Sequence, residues 1–177
     1  MLTRGQTLDM SPIGAVFRIR KTPEETNGQA LEMEWELLPR SAGTPVHIHP
    51  FASETYRILE GTLEVNVNGQ WKKLQKGEEM TIDKGVPHTF RNPIDGVTRV
   101  YNTHTPAMQF DAYFEGLNNI VNKLSSGRKD GLKLNLNAMM HLCMLMKKYP
   151  AEIKSVSPAN FIVSFMNSHV KLKALKV

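Results

Sequence analysis

Gly43-Thr-Pro-Val-His47-Ile-His49-Pro-Phe-Ala-Ser-Glu54 is the stretch on which the fold turns. A strand sends successive side chains to opposite faces, so His47 and His49 point the same way while Ile48 faces the other side. Two imidazoles placed two residues apart can share one ion. A second string, Gly77-Glu-Glu-Met-Thr-Ile-Asp83-Lys-Gly85-Val-Pro-His88-Thr-Phe-Arg-Asn92, belongs to a different strand and adds another imidazole. Together the strings supply three neutral nitrogen donors, His47, His49 and His88, and one carboxylate, Glu54.

Outward from these strings, Gly14 to about Thr105 reads as short alternating runs cut by turn residues, the pattern of an all-β sandwich or barrel. In Leu31 to Leu38, Met33, Trp35 and Leu37 alternate with Glu32, Glu34 and Glu36, which predicts an apolar face and carboxylates in water. Thr62 to Val67 repeats the pattern with Leu63, Val65 and Val67. Asn68-Gly69 then supplies the chemistry of a tight hairpin into Trp71. Strands of this length suit a jelly roll. After Pro106 the period changes. Phe110, Tyr113, Phe114, Leu117, Ile120, Val121 and Leu124 recur at helical spacing, and Ser125-Ser126-Gly127 ends the run. Asn137 to Tyr149 predicts a second helix, apolar nearly all round and so sandwiched between other elements. Ser157-Pro158 opens a third, with Phe161, Ile162, Phe165, Met166 and His169 on its buried side. The chain thus divides into a barrel, residues 1–106, and a helical extension, 107–177, packed on the barrel or at a dimer interface.

The two strings resemble the paired motifs of the cupin superfamily. His47, His49, Glu54 and Gly61 fall at the spacing of its first motif; Gly77, Gly85, His88 and Asn92 fall at that of its second. Gly43 lies two residues closer to His47 than the pattern expects, and Asp83 stands where proline is usual. Both positions shape turns and leave the ligand set intact. The resemblance covers roughly Leu31 to Thr105 and implies a mainly β, double-stranded β-helix barrel with one divalent transition metal, Fe, Mn, Ni, Co, Cu or Zn, on His47, His49, Glu54 and His88.

Composition narrows the remaining classes. The 177 residues are 41% hydrophobic and 22% charged, as in an ordinary globular domain. Met1 to Met10 has no apolar run of the kind a secretory signal needs, and the longest apolar stretch, Ala138 to Met146, is too short to span a bilayer. The single cysteine, Cys143, cannot close an internal disulfide. These features point to a cytoplasmic home. Residues up to Phe110 hold 12 Lys+Arg against 13 Asp+Glu, and the rest 10 against 4, so the net charge of +5 belongs to the C-terminal third. Those lysines are scattered and lack interleaved aromatics, which reads as a solvated face rather than a nucleic-acid platform. The helices show no helix-turn-helix with a basic recognition face. No nucleic-acid or membrane partner is expected; a small-molecule ligand and a homodimer are.

Three His and one Glu leave two open positions on an octahedral ion, a catalytic geometry. By the period of two, Tyr56 and Ile58 point inward with Glu54, and Phe90 shares a face with His88. Trp35, Leu37, Phe51, Tyr56 and Phe90 are the expected substrate pocket, with Glu54 and Tyr56 as catalytic candidates. The resemblance implies that Glu54 accepts a proton or moves on and off the metal; Tyr56 is expected to donate a hydrogen bond to a bound oxygen. The leading expectation is O2-dependent, dioxygenase-like oxidation of a small, partly apolar molecule. The alternatives are a non-redox isomerase, lyase or cyclase, or a non-catalytic sensor. His104 reads equally as a barrel-mouth residue and a surface one. His141, Cys143 and the cluster Met139, Met140, Met144 and Met146 read as packing.

Overall fold

The computed structural model of the protein describes residues 1–125 and 136–156. Numbered in chain order, β1 (Thr7–Met10), β2 (Ala15–Lys21), β3 (Leu31–Leu37), β10 (Thr98–Thr105), β5 (Ser53–Glu60) and β8 (Glu79–Ile82) lie side by side in a six-stranded sheet. β11 (Lys154–Ser155), β4 (His47–Ile48), β9 (His88–Arg91), β6 (Thr62–Val67) and β7 (Gln70–Gln75) form a five-stranded sheet. The pairings are antiparallel, as in a jelly roll. Two helices follow the barrel, α1 (Phe110–Ser125) and α2 (Leu136–Lys148). None of the described helices is long and apolar enough to cross a membrane.

The alternation read from the sequence sets the core. Met33, Trp35 and Leu37 of β3, Tyr56 and Ile58 of β5, Leu63 and Val65 of β6, Phe90 of β9 and Val100 of β10 are all buried between the sheets. Each contributes roughly 1.5–3 kcal/mol by leaving water. The Asn68-Gly69 turn has φ of 51° and 86°, the backbone that joins two strands by the tightest hairpin. Gly43, at φ 72°, passes so close to β9 that an added Cβ would sit 1.7 Å from the Phe90 carbonyl oxygen. No other residue fits there.

The structure corrects the sequence reading in four places. The strands begin at β1, before the Gly14 at which alternation was read; the four residues of that strand are too few for alternation to register. Glu34 is buried at 8% exposure rather than solvated, because Arg20 and Arg99 from the flanking strands fold over it. α2 is not buried on all sides: Ala138, His141 and Leu145 are buried, while Leu142, Cys143 and Met144 are half-exposed. Lys154–Ser155 forms a strand where none was read, and two residues carry no periodicity. The predicted third helix lies outside the described residues.

α1 packs on the barrel through Phe110, Tyr113, Phe114, Ile120 and Val121. Phe114 meets Phe17 of β2 edge to face at 5.7 Å, and the Asn122 amide donates to the Asp9 carbonyl at 3.0 Å. α2 lies against α1, where Gly116 lets Leu145 approach.

Candidate metal centre

His47 on β4 stands directly opposite His88 on β9, with ring centroids 4.4 Å apart. His49 follows one residue past the end of β4 and turns to the same side. Glu54 comes from β5, on the other sheet. All four are buried, and one ligand atom from each lies within 4.8 Å of the others. First-row ions bind imidazole and carboxylate at about 2.0–2.2 Å, so donors around one ion fall within such a spread.

Hydrogen bonding fixes which ring atom faces the centre. Nδ1 of His47 contacts the Pro45 carbonyl at 2.9 Å, Nδ1 of His88 the Val86 carbonyl at 2.8 Å, and Nδ1 of His49 the Glu152 carbonyl at 2.5 Å. A carbonyl oxygen only accepts, so each Nδ1 carries the hydrogen and Nε2 of a neutral ring is left with its lone pair. Yet Nε2 of His49 and of His88 lie 3.2 and 2.9 Å from the same oxygen, Glu54 Oε2. Lone pairs facing a carboxylate oxygen repel unless a cation stands between them. The donor set therefore fits a metal ion, with a proton as the lesser substitute.

Glu54 is held from its other side. The Asn102 amide donates to Oε1 at 2.7 Å, and His104 Nε2 lies 3.5 Å from the same oxygen. Burial alone would raise the Glu54 carboxyl, but the neighbouring histidines outweigh it and keep it well below 4.5, so it is a carboxylate. Burial, reinforced by His88 and His49, pushes His47 down to about 3, which keeps its ring neutral as a ligand must be.

Residues 33–104 match the family model for the cupin domain. The chain carries a cupin domain. Over 78 residues it is 32% identical to the Escherichia coli HTH-type transcriptional regulator PuuR, a match spanning 44% of this chain and 42% of that protein. Over 57 residues it is 35% identical to the Streptomyces glaucescens tetracenomycin polyketide synthase protein TcmJ, spanning 32% and 38%. The chain thus spans less than half the length of these curated relatives. A solved RmlC-like cupin from Shewanella frigidimarina superposes with a TM-score of 0.52 at 20% identity, covering 61% of this chain and 89% of that one, and shares the fold.

Around this candidate metal cluster the interior is aromatic. Trp35 packs against Tyr56 at 6.0 Å, Phe90 at 5.3 Å and Phe17 at 4.6 Å. Leu37 is buried beside them on β3; Phe51, in contrast, is 61% exposed on the turn between β4 and β5. Burial, and secondarily the Glu54 charge, raises the Tyr56 phenol well above 10, so its hydroxyl keeps its proton. Among the described residues, four buried polar atoms of this interior find no hydrogen-bond partner: Trp35 Nε1, Tyr56 Oη, Asn102 Oδ1 and His104 Nδ1.

His104 resolves to neither a mouth nor a surface residue. It is buried at 1% exposure, directly across the β5–β10 pairing from Glu54 and 4.2 Å, ring to ring, from Phe110 of α1. Sequence reading passed over Asn102 altogether, although it lies two residues from His104 on the same strand and so shares its inward face. Glu152 carried no local signal; its contact with His49 spans 103 residues.

Proposed function

We propose that this cupin is a metal-dependent enzyme that oxidises a small, partly apolar organic molecule with O2. The observation that carries the reading is the convergence of Nε2 lone pairs and a carboxylate oxygen inside an aromatic interior. A bound Fe, Mn, Ni, Co, Cu or Zn ion would supply open coordination positions for an oxygen-bearing ligand. Trp35, Leu37 and Phe90 exclude water from it. Each unpartnered buried polar atom costs about 1–3 kcal/mol, which a ligand offering hydroxyl or carbonyl oxygens would recover at Tyr56 Oη, Trp35 Nε1 and Asn102 Oδ1. Glu54 takes up or returns a proton of that ligand at a carboxylate oxygen, and Tyr56 donates a hydrogen bond to its oxygen. In a dioxygenation both atoms of O2 enter the substrate, which is itself the reductant. A homodimer is part of the reading, and light scattering in solution checks it.

Metal analysis of tag-free protein beside His88→Ala, followed by oxygen uptake with phenolic and acidic substrates, tests this function. Near-stoichiometric metal in the parent, lost in the variant, and substrate-dependent oxygen consumption are expected. No metal in either after reconstitution would overturn it.

Two specific observations favour other chemistries. The match to a polyketide synthase protein favours a non-redox isomerase, lyase or cyclase, which would turn over substrate without consuming oxygen. The match to a transcriptional regulator favours a sensor, which would bind a ligand and release it unchanged.

A further inference from the structure

Two of the three histidines carry their own support. His47 and His88 each donate Nδ1–H to the carbonyl two residues earlier in the same segment, Pro45 and Val86. His49 instead donates to the carbonyl of Glu152, from the segment after α2. That carbonyl is itself tied down. β11 pairs with β4, setting Lys154 opposite Ile48 and Ser155 opposite His47, and the Val156 N–H donates to the Val46 carbonyl at 3.0 Å. The Glu152 side chain, buried at 3% exposure, accepts the Gln109 N–H at 3.2 Å just before α1. An anion there also meets the positive end of that helix. The Phe110 ring that opens α1 lies 5.2 Å from the His49 ring.

We propose that Glu152–Val156 is a strap that sets the His49 ring for metal, with Glu152 as its positioning residue. The proposal rests on the metal-centre reading above. An imidazole free to turn about its Cβ–Cγ bond loses both its tautomer and the direction of its Nε2. Removing such an outer partner weakens metal binding about 10–100-fold. Metal loading of the barrel therefore depends on a segment that lies outside both cupin motifs and docks only when α1 and β4 are in place. Its carboxylate ties the strap to α1, its carbonyl ties it to His49, and β11 fixes the distance between them.

Manganese(II) affinity of the full chain, by calorimetry, separates the possibilities. Glu152→Ala removes the anchor at Gln109, and Val156→Pro removes the N–H that binds the strap to Val46, at a side chain 41% exposed. Both are expected to weaken binding about 10-fold or more and to change the visible spectrum of the cobalt(II)-loaded protein. Glu152→Gln keeps an oxygen for Gln109 and restores affinity. Far-ultraviolet circular dichroism reports folding of each variant. Parent-like affinity and spectra in folded Glu152→Ala and Val156→Pro, with binding lost in His88→Ala, would overturn the strap and leave the metal centre standing. Absence of binding in the parent would overturn the metal centre itself, and the strap with it.

Discussion

Asn102 donates its side-chain N–H to Glu54 Oε1 at 2.7 Å, which leaves Oε2 as the oxygen turned toward His49 and His88. The two residues sit on adjacent strands, Glu54 opposite His104 and Asn102 opposite Tyr56, so the β5–β10 register delivers the amide to the carboxylate. Asn102→Leu keeps the volume and removes the donor. Manganese affinity is expected to fall about 10-fold or more, because the carboxylate loses the bond that orients it. Unchanged affinity in a calorimetric titration would show that His104 alone suffices.

Glu34 lies between two guanidinium groups, with Arg20 Nε 3.0 Å from Oε2 and Arg99 Nε 3.1 Å from Oε1. Burial opposes ionisation, yet Arg99 and Arg20 outweigh it and hold the carboxyl below 4.5. A depressed folded-state value adds stability above the unfolded value and loses it as pH falls through the folded one. Glu34→Gln is expected to cost about 1–2 kcal/mol at neutral pH, the half-exposed arginine ends keeping it modest. Urea melts should show the gap between variant and parent closing below about pH 4.5. A constant gap down to strong acid would rule out the ion triplet as its source.

The Asn92 amide closes the loop behind β9. Its Nδ2 donates to the carbonyls of Leu37, Leu38 and Gly96 at 2.8–3.0 Å, and its Oδ1 accepts from Ile94 N and Thr98 Oγ1. Asn92→Ala takes this donor from the Leu37 and Gly96 carbonyls and leaves Leu38 with only the Ser41 N–H, at a cost of about 1–3 kcal/mol. A denaturation midpoint within error of the parent would contradict this.

Asn92 also marks what the sequence could reveal. Its spacing from His88 identified it as a motif position, but the work it does for three separate carbonyls depends on a tertiary approach that spacing does not encode. The strands with inward Met33, Trp35, Leu37, Leu63 and Val65 were legible because one face is dry and the other wet. Glu34 broke the rule because its charge is answered by arginines from neighbouring strands, and strand order is not written in local alternation. The four residues that could hold a metal were legible because all four fall at family spacing, with His47 and His49 two residues apart. Asn102 and Glu152 were not, since each acts through a partner far away in sequence, and His104 read equally as a mouth or a surface residue because nothing local shows that its strand runs on beneath α1.

Tyr56 offers a separation of stability from function. Its hydroxyl is fully buried and without a hydrogen-bond partner, while its ring packs against Trp35 and Phe90. An unpaired buried hydroxyl costs about 1–3 kcal/mol, so Tyr56→Phe, which keeps the ring, is expected to raise the melting temperature by a few degrees. If the hydroxyl serves a ligand oxygen at the metal, the same variant loses about 10-fold or more in kcat with little change in metal content. The two readouts must move in opposite directions. A fall in melting temperature would mean that the hydroxyl has a partner in the free protein, and an unaltered kcat in a more stable variant would remove Tyr56 from the chemistry and leave it to packing.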